Sequence, residues 1–136
     1  MRSPEQILRE ARTIAVVGAS PDPGRPSHGV MRYLERAGYR VLPVNPTWAE
    51  AAPTLADLDE PVDLVDVFRR PEHCAGVALE AVAIGAGALW LQLGIRSPEA
   101  RAIAEAAGLD YVENACTAVV HRLGYPSRCS GCGAAW

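Results

Sequence analysis

Thr13-Ile-Ala-Val-Val-Gly-Ala-Ser-Pro-Asp-Pro-Gly-Arg-Pro-Ser-His28 decides how this chain folds. A short apolar, partly β-branched run ends at Gly18, a Gly/Ser/Pro turn follows, and a helical pattern starts near Ser27. The reading is a strand, a tight turn and a helix N-terminus. At such a junction the backbone N–H groups and the helix dipole aim at one spot, and an anion suits that spot. The stretch therefore points to a phosphate-bearing ligand.

Working outward, five apolar runs read as buried strands: 13–18, 39–44, 63–68, 88–93 and 110–113. Helical patterns separate them, at 4–12, 27–37, 71–84, 97–108 and 117–123. In the second of these, Val30, Tyr33, Leu34 and Ala37 fall on one face at spacings of three and four, and Gly38 follows as a stop. Pro71-Glu72 and Ser97-Pro98-Glu99 are good first-turn sequences for the third and fourth. Strands alternating with helices, with the strands almost continuously apolar, mark a parallel sheet covered on both faces. The expected fold is α/β: a Rossmann-like, doubly wound parallel sheet of about five strands. Ligands on such sheets bind beyond the carboxyl ends of the strands, at the switch point. Those ends carry Gly18-Ala19-Ser20, Asn45-Pro46, Phe68-Arg69-Arg70-Pro71, Gln92-Leu93-Gly94 and Asn114-Ala115-Cys116.

The length of 136 residues fits one domain, and 49% hydrophobic content supplies one core. We assign 1–125 to that domain and 126–136, which has no periodicity, to a cysteine-containing tail. A net charge of −3 lacks the basic stripe of a nucleic-acid surface. The polar start Met1-Arg-Ser-Pro-Glu reads as a helix start rather than a signal peptide, and the apolar stretch 75–93 is broken by Glu80 and three glycines. The expectation is a cytoplasmic protein with neither membrane nor nucleic acid as partner, and a homodimer by base rate. All 13 basic residues are arginine. Without lysine there is no Walker A loop and no Schiff base, so phosphate contacts fall to backbone amides, hydroxyls or arginine.

The opening turn departs from the dinucleotide fingerprint. Ser20 stands where the second glycine would be, and strand two ends in Val44-Asn45-Pro46 with no acid for a ribose. Ser20 and Ser27 suit helix capping as well as phosphate contact. Arg25 has the fork geometry for phosphate. His28 reads as a neutral hydrogen-bonding residue, since no nucleophile–base–orienter set surrounds it in the pattern. Trp90 alternates with the strand and reads as core. Cys74, near a helix start, reads as a small buried residue or as a thiol with lowered pKa. Cys116 follows the last strand and precedes a helix, so it is either an activated thiol or a packing residue. Cys129-Ser-Gly-Cys132 is a single C-x-x-C, open to zinc, to a redox disulfide or to neither.

The ordered set Gly-Ala-Ser-Pro, Val-Leu-Pro-Val-Asn-Pro, Asp-Val-Phe-Arg-Arg-Pro-Glu and Trp-Leu-Gln-Leu-Gly resembles the small stand-alone CoA-binding proteins. Their domain recurs in the α subunit of succinyl-CoA synthetase and in ADP-forming acyl-CoA synthetases. The resemblance covers roughly residues 5–123 and implies a Rossmann-like domain that binds coenzyme A. It implies that Gly18, Ala19, Ser20, Arg25 and Ser27 hold the phosphates and that Val44, Asn45 and Pro46 flank the adenosine. It also implies roles for Phe68, Arg69, Arg70 and Pro71, of which one arginine serves a phosphate, and for Gln92, Leu93 and Gly94 near the pantetheine arm. Because CoA ends in a thiol, Cys116 becomes a candidate for a mixed disulfide. The sequence departs from the pattern at Glu113-Asn-Ala-Cys116, where many members carry an acid and a basic residue before the cysteine, and in the tail Ser127-Arg-Cys-Ser-Gly-Cys-Gly133. The implied function is binding of CoA or a short acyl-CoA without chemistry of its own. The alternatives are a subunit of a split acyl-CoA synthetase, an NAD(P)-dependent oxidoreductase, and a CoA-thiol redox switch through Cys116.

Overall fold

In the computed structural model, which describes residues 1–124, five parallel strands alternate with helices. The order along the chain is α1 (Pro4–Glu10), β1 (Thr13–Val17), α2 (Pro26–Arg36), β2 (Arg40–Val44), β3 (Leu64–Val67), α3 (Pro71–Ala83), β4 (Ala88–Leu91), α4 (Pro98–Ala106), β5 (Asp110–Val112) and α5 (Thr117–Gly124). One 3-10 turn, Leu55–Asp57, lies in the long β2–β3 connection and was not foreseen. The expected strands and helices are all present, with no end moved by more than two residues. The cysteine-containing tail lies outside the described residues. Among the described residues no helix is long and apolar enough to cross a membrane.

The sheet order is β2-β1-β3-β4-β5 with every pair parallel, in a register that aligns Ile14 with Leu64 and Leu64 with Ala88. Pro43 lies in β2, an edge strand, where its missing N–H is tolerated. Alternation of side chains across the strands splits the core into two layers. Ala15, Val17, Val65, Val67, Leu89 and Leu91 pack with α3 and α4 through Val77, Ala78, Ala81, Ala100 and Ala104. Ile14, Val16, Leu64, Ala88 and Trp90 pack the other way, with Ile7 and Leu8 of α1, Met31 and Leu34 of α2, and Val120 of α5. Trp90 is fully buried, as its alternation predicts, and its indole N–H donates to the Ala115 carbonyl at 2.9 Å.

The chain leaves β1 toward β2 on one side and returns to β3 on the other. The crevice of a doubly wound sheet therefore opens between the carboxyl ends of β1 and β3. Gly18 sits at that point with φ +87°, and a Cβ there would lie 2.5 Å from the Phe68 carbonyl oxygen. Only glycine lets the two strand ends come this close.

Candidate functional site

A cleft of about 990 Å³ opens at the carboxyl edge over the β1/β3 crevice. Of the sequence-predicted residues it gathers Gly18, Ser20, Arg25, Ser27, Asn45, Phe68, Arg69, Arg70, Gln92, Leu93 and Cys116. Ala19, Val44, Pro46 and Gly94 do not line it. Ala19 and Val44 are buried beneath the turn, and their backbone carbonyls hold it: Val44 O accepts from the Gly18 N–H at 3.0 Å, and Ala19 O accepts from Asn45 Nδ2 at 2.7 Å. Pro46 and Gly94 are exposed beside the cleft.

The first wall is the β1–α2 turn. Ser20 Oγ accepts from the Asp22 N–H at 3.1 Å, Asp22 Oδ1 accepts from the Gly24 N–H at 2.9 Å, and Asp22 O accepts from the Arg25 N–H at 3.0 Å. His28 Nδ1 pairs with the Ser20 carbonyl at 3.3 Å, in keeping with a hydrogen-bonding role. The turn is thus fixed by its own polar groups. Helix α2 starts at Pro26, with Arg25 as N-cap residue and no side-chain cap. Serine capping is absent here: Ser27 is buried inside the first helical turn and Ser20 bonds within the loop. Pro26 is favoured at the first helical position and displaces the start from Ser27. Helix α3 repeats the arrangement, with Arg70 as N-cap residue, Pro71 first and no side-chain cap. By contrast α1 and α4 are closed by serines: Ser3 Oγ accepts from the Gln6 N–H and Ser97 Oγ from the Ala100 N–H, each at 3.1 Å. Helices α2 and α3 both open onto the cleft and leave first-turn N–H groups for another acceptor.

The second wall carries charge. Arg25, Arg69 and Arg70 line the cleft, and no aspartate or glutamate does. Among the described residues none of the three arginines forms an ion pair. Asn45 lines the cleft and also has a structural part. Its Nδ2 bonds Ala19 O, while its Oδ1 accepts from both Thr47 N and Thr47 Oγ1 at 2.8 Å. Its side chain ties the β1 turn to the β2 turn. Trp48, in the same β2 turn, lines the cleft together with Thr47. Neither was singled out from sequence, because an aromatic residue in a loop has no periodicity to flag it.

Beneath the cleft lies a buried polar triad. Gln92 Nε2 donates to Asp66 Oδ1 at 2.5 Å and to Thr117 Oγ1 at 2.9 Å, and Thr117 Oγ1 donates to Asp66 Oδ2 at 2.9 Å. These bonds join β3, the end of β4 and the start of α5. Burial pushes the Asp66 carboxyl up to about 7, because its two neutral partners only partly offset the cost of removing the charge from water. An acid inside the apolar run Leu64-Val-Asp-Val-Phe68 was the available signal for this triad.

The two described thiols differ. Cys74 is fully buried, its Sγ donates to the Arg70 carbonyl at 3.5 Å, and burial pushes it up to about 11, so the reading of a thiol with lowered pKa is overturned. Cys116 is partly exposed and lines the cleft. Cys129 and Cys132 lie outside the described residues. Among the described residues no cluster of His, Cys, Asp and Glu could hold a metal ion.

This geometry defines a doubly wound α/β domain with a cationic, acid-free cleft at the switch point. The sequence pattern of the CoA binding domain matches residues 12–122, and the chain belongs to that family. It is similar to YneT of Bacillus subtilis, with 38% identity over 124 residues covering 88% of this chain and 92% of that protein. Among solved structures it is similar to cell-free ID.343 from Thermus thermophilus, at 42% identity and a TM-score of 0.85, covering 90% of this chain and 99% of that one. It also resembles the apo dinucleotide-forming acetyl-coenzyme A synthetase 1 of Ca. Korarchaeum cryptofilum. That match has 26% identity and a TM-score of 0.66 over 75% of this chain and 26% of the larger one.

Proposed function

We propose that the cleft binds coenzyme A or a short acyl-CoA and that the protein is a binding, carrier or regulatory module. One observation carries this reading. Among the described residues, three arginines without carboxylate partners and two helix N-termini without side-chain caps converge on a cleft that no acid lines. A ligand with several phosphate charges supplies what that surface lacks. Membership of the CoA binding domain family supports CoA as the phosphate ligand. The diphosphate lies in the β1–α2 turn against Ser20, Ser27 and Arg25, the 3′-phosphate meets Arg69 or Arg70, and Asn45 holds the two turns around the adenosine. The non-catalytic reading rests on the lining: Cys116 is the one thiol among the described cleft residues, and no histidine or acid lines the cleft to act with it.

The test is a thermal-shift series with CoA, dephospho-CoA, acetyl-CoA, NAD and ATP. A ligand at a hundred times its Kd adds about 2.7 kcal/mol of stability. CoA and acetyl-CoA are expected to raise Tm most and NAD least. Ser20→Asp, which sets a negative charge in the diphosphate position, is expected to abolish the CoA shift and keep the fold. No shift with millimolar CoA overturns the reading, and an unchanged CoA affinity in Ser20→Asp moves the site elsewhere.

A further inference from the structure

The cleft has a thiol end that phosphate binding does not use. The loop after β5 is pinned over β4: Asn114 Oδ1 accepts from the Gly94 N–H at 2.7 Å, Asn114 N donates to Ile95 O at 3.1 Å, and Ala115 O accepts from Trp90 Nε1 at 2.9 Å. Asn114 accepts a left-handed φ of 56° to make the turn. The next residue, Cys116, is thereby held in the cleft wall, and Thr117 behind it is locked to Asp66 and Gln92. Gln92 is a second and independent signal. Its side chain is 96% buried (4% exposed) and lines the same cleft. Its amide nitrogen is used by Asp66 and Thr117, while its carbonyl oxygen Oε1 has no donor among the described residues. A buried acceptor without a described donor, on a residue that lines a cleft, suits a ligand N–H. The amide-bearing, thiol-ended arm of CoA offers an N–H for Gln92 Oε1 and a sulfur for Cys116.

We propose that Cys116 is a redox-modification site that captures CoA covalently by exchange with CoA disulfide, an inference that rests on the CoA-binding reading above. The Cys116 thiol gives its proton to water, and the Sγ thiolate attacks one sulfur of the disulfide. The CoA–CoA S–S bond breaks as the Sγ–S bond forms, and the second CoA leaves as a thiolate that takes a proton from water. Cys116 and one CoA sulfur end as a mixed disulfide, and the oxidising equivalent comes from CoA disulfide alone. A reduced thiol reverses the step.

The full-length protein is incubated with CoA disulfide or with glutathione disulfide, followed by intact-mass measurement and peptide mapping. In parallel, wild type is titrated by thermal shift with desulfo-CoA, which has the phosphates and the arm but no thiol. The expected result is one CoA adduct on Cys116, removed by dithiothreitol, absent in Cys116→Ser, formed at least tenfold faster than the glutathione adduct and slowed by desulfo-CoA. Three results overturn the inference while leaving CoA binding intact, provided desulfo-CoA still raises Tm: no adduct, an adduct confined to Cys129 or Cys132, or equal rates with the two disulfides. If neither CoA nor desulfo-CoA shifts Tm, the CoA-binding reading falls and takes the capture step with it.

Discussion

At the amino edge of the sheet Arg2 Nε meets Asp110 Oδ2 at 2.6 Å, Arg40 meets Glu60 at 2.7 Å, and Asp63 Oδ2 accepts from the N–H groups of Arg12 and Thr13 at 2.9 and 3.0 Å. At the carboxyl edge Arg25, Arg69 and Arg70 border a cleft with no acid among its lining residues, and the nearby buried acid, Asp66, has only neutral partners. One edge spends its charges on closing strand and helix ends. The other pairs Arg96 with Glu113 but leaves the three arginines of the cleft without an ion pair among the described residues. Unpaired guanidinium groups around one cleft strengthen a complex with an anion and mark a binding edge. Helix α4 sharpens the contrast, because it too starts at the carboxyl edge yet is closed by Ser97. Helices α2 and α3, which open on the cleft, have no side-chain cap.

The largest effect expected comes from the point where the binding edge is built into the fold. Gly18→Ala would set a Cβ 2.5 Å from the Phe68 carbonyl oxygen in a backbone at φ +87°. Backbone, unlike a flexible side chain, cannot step aside cheaply. The substitution should cost about 3 kcal/mol or more and should be read as a large drop in the urea midpoint. If the protein keeps its midpoint, the β1 and β3 ends do not need their close approach, and the cleft is not anchored as described.

The next effect concerns the lone carboxylate under the cleft. The folded state holds the Asp66 proton up to about pH 7, while an unconstrained aspartate loses it near 3.8. The folded protein therefore binds more protons than the unfolded chain between these values. The stability from this group is fully present below about pH 4 and is lost as pH rises through about 7. Asp66→Asn removes that titration, and the Thr117 hydroxyl can turn to accept from the new amide. Urea unfolding at pH 5 and pH 8 should show the wild type losing roughly 1–4 kcal/mol more than the variant over the interval. Parallel behaviour of the two proteins would mean that Asp66 is already ionised at pH 5.

The strands were legible because burial on both sheet faces leaves continuous apolar runs such as Thr13-Ile-Ala-Val-Val17, and the turn after β1 was legible because Gly, Ser and Pro have turn chemistry. What the sequence hid depends on contacts between distant segments. Asn45 at a strand end reads as ligand-facing and lines the cleft, but its bond to Ala19, 26 residues away in the chain, has no signal in the sequence. The serine read as a cap, Ser27, lost its place to Pro26 because proline fits the first helical position better. Asp66, Gln92 and Thr117 are each unremarkable in isolation and become a unit only when β3, β4 and α5 meet. Gln92 was placed with the ligand by family pattern, and the fold gives its nitrogen to the protein and leaves only its oxygen over.

The smallest effects test the contrast of the two edges most directly. Asp110 is drawn two ways: burial pushes its carboxyl up, and the Arg2 guanidinium and backbone N–H together pull it down further. The pair is partly exposed, so Asp110→Ala should cost only about 1 kcal/mol of stability, less in high salt, and leave CoA affinity unchanged. The double variant Arg69→Ala/Arg70→Ala should do the reverse. It breaks no ion pair among the described residues, so its unliganded Tm should hold or rise slightly, while CoA affinity falls about tenfold, equivalent to about 1.4 kcal/mol. The two proteins, compared by urea unfolding without ligand and by calorimetric CoA titration, should fall on opposite axes. If the arginine pair instead lowers the unliganded stability and spares affinity, its charges serve the fold just as Arg2 does. The carboxyl edge would then be a second structural edge, and the phosphates would have to be held by the β1–α2 turn alone.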